Sequence, residues 1–438
     1  MRNASTLELL RSGALSGAQR LDLSGCGLHE LPAEVFGLAD SLEVLDLTNN
    51  ALSALPDALP RLHKLRIIFA SGNRFTALPE ALGRCEALEM VGFKANRIRD
   101  VSAAALPARL RWLILTDNEI EALPAEIGSC QRLQKLALAG NRLQALPDAM
   151  QDCKNLELAR ISANRLSALP DWLLALPRLS WLAFGGNPFS LGREQDALAH
   201  TPLPSVDWSC LQLQQQLGEG ASGVIHRARQ LPDGAAVALK IFKGEVTSDG
   251  LPSSEMAAAL HAGAHPNLIP VLGRLRGHPA QAQGLLMQLV APEFRSLAQP
   301  PSMASCTRDV YAPGTCFDIA TLRGLAGGMA SALAQLHQRG LTHGDLYAHN
   351  ILHNGRGQAC LGDFGAASFV PANLPPAQGL ALQRLEVRAF GCLLEELIER
   401  CREGASPALH ALHALRDACL NEAPARRPLF GEVAQALC

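Results

Sequence analysis

Leu42-Glu43-Val44-Leu45-Asp46-Leu47-Thr48-Asn49-Asn50 reads as Leu-x-x-Leu-x-Leu-x-x-Asn, and this frame returns throughout the first half of the chain. The opening leucines are Leu42, Leu65, Leu88, Leu110, Leu133, Leu156 and Leu179, at steps of 22 or 23 residues. The closing slot keeps the same beat through Asn50, Asn73, Asn96, Asn118, Asn141, Asn164 and Asn187. A leading copy, Leu21-Asp22-Leu23 with Cys26 in that slot, brings the number of units to eight. A fixed period of this length means stacking, because one unit cannot bury its own leucines and only its neighbours complete the core. Each unit then contributes a short strand to a curved parallel sheet. The asparagine is suited to bond the backbone where the strand turns away. Most units continue with Leu-Pro, as at Leu55-Pro56 and Leu146-Pro147, which sets an extended turn. The unit opening at Leu88 is one residue short and has Val101-Ser102 there, so a local irregularity is expected.

These eight units, spanning about 18–189 within a domain 1–200, resemble leucine-rich repeats. In that repeat the third and fifth positions point outward. They include Val44, Ile67, Phe69, Met90, Trp112, Ile114, Leu158 and Trp181, an apolar row for an exposed face. Exposed apolar patches mark contact surfaces. The row, with Phe69, Met90, Trp112, Ile114, Leu158 and Trp181 at its centre, is expected to bind a protein partner, or to be covered by the chain's own second half. After Ser190 the repeat is lost, and residues 201–210 read as a linker.

From Leu211 the pattern changes to alternation, followed by Gly218-Glu219-Gly220-Ala221-Ser222-Gly223. Such a glycine run alone could open a dinucleotide fold, where a helix should follow. Here a second strand, the turn Pro232-Asp233-Gly234 and the strand Val237-Ala238-Leu239-Lys240 follow instead. The chain has only six lysines, none beyond Lys243, so Lys240 is not a neutral choice. Further on stand His343-Gly344-Asp345-Leu346-Tyr347-Ala348-His349-Asn350 and then Asp363-Phe364-Gly365. Two acids and an amide in this order, after a glycine loop and a lysine, suit phosphoryl transfer.

Residues from Leu211 to about Phe430 resemble the protein-kinase superfamily. The resemblance implies a two-domain protein, α/β followed by α+β: a leucine-rich-repeat solenoid and then a bilobal kinase-like fold over 211–438. It implies ATP and Mg²⁺ as cofactors. Asp345 would accept the substrate hydroxyl proton, with Lys240 and Glu255 completing the catalytic set and Asn350 and Asp363 holding the metal. ATP would lie against Leu217, Gly218, Gly220, Gly223, Ile225, Ala238, Lys240, Met287, Gln288 and Val290, with Met287 as gatekeeper. The implied activity is serine/threonine-type protein phosphorylation, with the repeats recruiting substrate or regulator. The whole architecture is similar to bacterial leucine-rich-repeat kinases.

Several positions depart from the family. Gly344 replaces the arginine before the catalytic aspartate, Tyr347 replaces a lysine, and Glu386 stands where a helix usually has Asp. The segment from Asp363 to Glu386 is short, lacks Ala-Pro-Glu and, between Phe369 and Leu385, has no Ser, Thr or Tyr; Ser368 alone remains. A kinase not switched by activation-loop phosphorylation is therefore expected. A small-molecule kinase of the aminoglycoside or choline type, and a pseudokinase scaffold, remain the alternatives.

Composition bounds the rest. The 438 residues are 48% hydrophobic and 18% charged with a net charge of −2, which allows large cores and supplies no global field for nucleic acid or anionic membranes. There is no CxxC, and Cys85, Cys130 and Cys153 hold a slot that leucine fills in other units, so they read as small buried hydrophobes. A reducing, cytoplasmic setting is expected. The apolar stretch Leu322 to Leu336 is broken by Arg323 and a Gly pair and reads as a buried helix rather than a membrane span.

Overall fold

The computed structural model describes residues 2–201, 204–220, 222–244, 246–404 and 406–437. Pro202 and Leu203 of the expected linker and Ala221 of the glycine segment lie outside the described residues. Contacts divide the chain into two compact units, Met1–Ala159 with Asn164–Leu176, and Arg160–Ala163 with Pro177–Cys438.

The repeats form a parallel sheet of eight three-residue strands in chain order. In the first unit Val44, Ile67, Met90, Trp112 and Lys135 stand in register on successive strands. Their neighbours Leu45, Ile68, Val91, Leu113 and Leu136 point the other way into the core. The asparagines lace each unit to the one before. Asn118 Nδ2 donates to Phe93 O at 2.9 Å and Leu115 O at 3.0 Å, while its Oδ1 accepts from Ile98 N at 2.9 Å. The short unit shows its missing residue on the convex side, where its turn is Ala103–Ala105 against Glu80–Arg84 and Ala125–Ser129 beside it. Cys85, Cys130 and Cys153 are buried. Burial pushes the Cys85 thiol up to about 11 and that of Cys153 to about 12, so they behave as apolar fillers.

The outward row is less open than its sequence implies. Ile67, Met90, Leu158 and Trp181 are buried, and Val44, Phe69, Trp112 and Ile114 are half-buried. In the first unit the large side chains lean on their strand neighbours. Phe69 lies over Gly92, where an added Cβ would come 2.6 Å from Phe69 Cδ1, and the Lys135 ammonium sits 4.5 Å from the Trp112 ring centroid. Lateral packing thus hides much of the apolar area expected to face solvent.

The second unit opens with the last repeat strand, Trp181–Ala183, and the helix Pro188–His200. Residues 205–210, expected as linker, are structured: Ser205–Asp207 is an edge strand pairing in parallel with Arg274–Arg276. Val206 accounts for this, since it is buried with Leu211, Val237, Leu239 and Leu286. The other strands of that sheet run antiparallel, in the order Leu211–Glu219, Gly223–Gln230, Ala236–Phe242, Gly284–Gln288, Val271–Arg276. The helix Pro252–His261 packs beside it, and Ile319–Gln338, Pro376–Ile398, Pro407–Cys419 and Phe430–Leu437 build a helical lobe. Pro376–Ile398 starts ten residues before Glu386, so the short segment after Asp363 runs directly into this helix and leaves Glu386 in its interior. Among the described residues no helix is long and apolar enough to cross a membrane.

Candidate active site

Lys240 lies on the strand Ala236–Phe242, opposite Ile225 in the register. Its ammonium pairs with Glu255 Oε1 from the helix Pro252–His261 and lies 3.2 Å from Asp363 Oδ1. Burial works against the Lys240 charge, but Asp363 and Glu255 outweigh it and hold the pKa above the usual lysine value. Glu255 goes the other way: burial pushes its carboxyl up to about 7, although Lys240 opposes the shift. The desolvation cost to Asp363 is likewise outweighed by Lys240, which keeps this carboxylate below its ordinary range.

Around this group the sheet sets out the other residues expected to line a nucleotide cleft. Ala238 is paired with Met287, and Met287 packs against Phe242, Met256, Leu260 and Leu285. Gln288 is exposed and Val290 half-buried where the strand ends. Leu217 is exposed beside Gly218, which pairs with Ile225. Gly220 N donates to Gly223 O at 2.9 Å and closes the turn. Gly223 must be glycine, because a Cβ there would come 2.5 Å from Ile241 O.

The second half of the constellation is one short loop. Asn350 Nδ2 donates to Asp345 Oδ2 at 2.7 Å and to Asp345 O at 3.0 Å. His343 is fully buried, and its Nε2 meets Gly362 O at 3.0 Å, tying this loop to the one that carries Asp363. Glu386 accepts from Gly344 N through Oε1 at 2.6 Å and faces His337 Nε2 through Oε2 at 2.7 Å. Lys240, Glu255 and Asp363 thus meet in one group, and Asp345 and Asn350 in another joined to it through Gly362.

Asn350 and Asp363 also fit a hard cation. The amide nitrogen of Asn350 is committed to Asp345, which leaves its oxygen as an acceptor, and the Asp363 side chain is partly open to solvent. Two oxygen donors with room for waters and phosphate oxygens are what Mg²⁺ takes.

The protein kinase domain family matches residues 211–379, and the leucine-rich repeat family matches 16–75 and 108–166. This chain joins leucine-rich repeats to a protein kinase domain. Over 206 residues it is 31% identical to CBL-interacting protein kinase 22 of Oryza sativa, covering 45% of each chain. It is 28% identical over 163 residues to the serine/threonine-protein kinase PITSLRE of Drosophila melanogaster, covering 37% of this chain and 16% of that one. With cyclin-dependent kinase 4 of Xenopus laevis it shares 31% over 205 residues, covering 42% and 62%. The chain therefore spans less than two thirds of the length of these relatives. All three are eukaryotic proteins, which gives the bacterial source suggested by the architecture no support.

Sequence reasoning passed over the residues that touch the Asp345 loop of the kinase domain from the repeat end. Arg160, at the fifth position of its unit, pairs with Asp345 and with Asp249. The only signal in the sequence is a positive charge in a slot where the neighbouring units have Ile114, Ala137 and Ala183. Trp181, expected to face a partner, instead stacks on Tyr347 with ring centroids 4.3 Å apart and planes 8° from parallel. The chain's own kinase domain covers it.

Proposed function

We propose that this chain is an ATP-dependent serine/threonine-type protein kinase that transfers the γ-phosphate of ATP to a protein hydroxyl. The observation that carries this reading is the Lys240 ammonium held between Glu255 and Asp363, beside the Asp345–Asn350 pair. Lys240 would grip the nucleotide phosphates while Glu255 fixes the direction of its stem. Gly218, Gly220 and Gly223 would let backbone close over those phosphates, and Ala238, Met287, Gln288 and Val290 would hold the adenine. Asn350 and Asp363 would carry Mg²⁺, which supplies charge neutralisation on the phosphates when bound. Asp345 would orient the acceptor hydroxyl and take its proton. Positioning and charge do this work, with no covalent intermediate on the protein.

Two finer features belong to the same reading. The kinase runs without activation-loop phosphorylation: Ser368 is fully buried, and its Oγ accepts from Phe184 N and Gly185 N at 3.0 and 3.1 Å, which leaves no hydroxyl open to a second kinase. The repeats recruit a protein substrate or regulator, through what remains accessible of Val44, Phe69, Trp112 and Ile114. Its buried thiols suit a reducing, cytoplasmic compartment.

Labelled ATP and magnesium with generic protein substrates, beside Asp345→Asn, test the reading. Label on serine or threonine that disappears in the variant is the expected result. Transfer confined to aminoglycosides or aminoalcohols would make the chain a small-molecule kinase, and ATP bound without turnover, both in the wild type and in variants that uncover Asp345, would make it a scaffold.

A further inference from the structure

The part of the repeat array that belongs to the second unit sits on the catalytic loop. Arg160 is buried, and each nitrogen of its guanidinium is committed. Nε pairs with Asp249 Oδ1 at 2.6 Å, Nη1 donates to Gly344 O at 3.0 Å, and Nη2 pairs with Asp345 Oδ1. Asn350 already holds Asp345 Oδ2, so both oxygens of the carboxylate meant for the acceptor proton have donors on them. Only 17% of the Asp345 side chain remains exposed.

Trp181 closes the adjoining surface. Besides stacking on Tyr347, its Nε1 donates to Leu346 O at 2.9 Å. Gly344 makes the approach possible. It adopts φ +71°, and a Cβ there would lie 2.7 Å from Leu182 O and 2.6 Å from Ala366 O, so no larger residue fits between the last repeat and the loop. The nucleotide side is different, because Lys240 keeps Glu255 and Asp363 keeps a partly open carboxylate.

We propose that the end of the repeat array is an internal block of the acceptor site, in which Arg160 seated on Asp345 keeps the kinase latent while leaving its nucleotide site competent. The proposal rests on the kinase reading above. A guanidinium is always charged and only donates, so Arg160 cannot itself serve as the base it covers. A buried pair of this kind does not open readily, since parting it strands charges on both sides. Withdrawing Arg160 and Trp181 frees Asp345 Oδ1 and the surface over Tyr347 together.

The test measures binding of a fluorescent ATP analogue and transfer of labelled phosphate to casein, in the full chain. The variants are Arg160→Ala, Arg160→Met with Asp249→Asn, and Trp181→Ala. The double variant removes one of the two acids that would otherwise lose their partner, and Trp181→Ala alters no charge, so at least one remains folded by thermal melt. Transfer should rise by roughly 5–150-fold, the usual range of coupling between a switch and its site, with nucleotide affinity unchanged. Adding Asp345→Asn should abolish the gain. Transfer in wild type that the folded variants do not increase overturns the block and leaves the kinase reading standing. Reduced transfer also overturns it and makes Arg160 a positioning residue. ATP binding with no transfer from any variant overturns both.

Discussion

At Lys240 the protein answers a difficulty that buried charges always raise. An isolated ammonium at 5% exposure would tend to lose its proton, yet two carboxylates keep it charged. Glu255, the more deeply enclosed acid, carries the strain of that arrangement as a pKa near 7. His349 shows the same balance on the other side of the loop. Burial opposes its imidazolium, but Asp309, which meets Nδ1 at 2.8 Å and accepts from the His349 backbone N–H at 2.8 Å, raises its pKa above the ordinary value. The sign follows from linkage. A histidine raised in the folded state contributes stability that is fully present below about 6.5, the unfolded value, and lost as pH climbs through the higher folded value. His349→Gln should therefore flatten the pH dependence of unfolding on the alkaline side of that value, as chemical denaturation at several pH values would reveal. An unchanged profile would mean that Asp309 does not hold the proton.

Among the elements, the helix Pro252–His261 decides where Glu255 points, and a second helix braces it. Glu194, in Pro188–His200, is almost wholly buried and accepts from Gly186 N at 2.8 Å, Ser190 Oγ at 2.7 Å and Ser254 Oγ at 2.5 Å. Ser254 precedes Glu255, so the cap of the repeats and the placement of that acid share one carboxylate. Glu194→Ala should lower folding stability by about 1–3 kcal/mol for the donors it strands. Melting indistinguishable from wild type would show that the two helices are held by apolar contact alone. The asparagine ladder of the repeats works by the same rule, since each amide satisfies backbone groups in two units at once.

For the whole molecule, the division by contacts and the division by sequence pattern fall in different places. Residues 160–163 and 177–187 follow the repeat period, yet they belong to the compact unit of the kinase domain. Arg427 illustrates the dependence. It is almost fully buried, and among the described residues it is bonded to no carboxylate. It donates instead to Asn421 O at 2.8 Å, Arg384 O at 3.2 Å and Pro177 O at 2.6 Å. A fragment beginning at residue 201, where the repeat pattern has ended, would lose the Pro177 carbonyl, the Arg160 pairs and the Trp181 stack. It should be less stable than one beginning at residue 177 and less stable again than the full chain. The second difference should be about 3–5 kcal/mol, as for a broken buried pair. Urea denaturation of the three would decide, and equal midpoints would mean that the kinase domain folds without the repeat end.

The repeat architecture was legible because a leucine every 22 or 23 residues has one physical solution, and the candidate phosphate site stood out because Lys240, Asp345, Asn350 and Asp363 sit in an order few other sites use. Glu255 could be singled out from its helix and its distance along the chain, and the structure places it on Lys240. What no local pattern carried was the pairing of Arg160 with Asp345, 185 positions away. Nor could period or hydropathy tell that Phe69 leans over Gly92 or that Trp181 meets Tyr347 rather than solvent. Periodicity reports which face a side chain leaves its own strand from. What covers that face is settled only when distant segments compete for it, and here the short segment after Asp363 and the missing side chain at Gly344 leave the space that the last repeat fills.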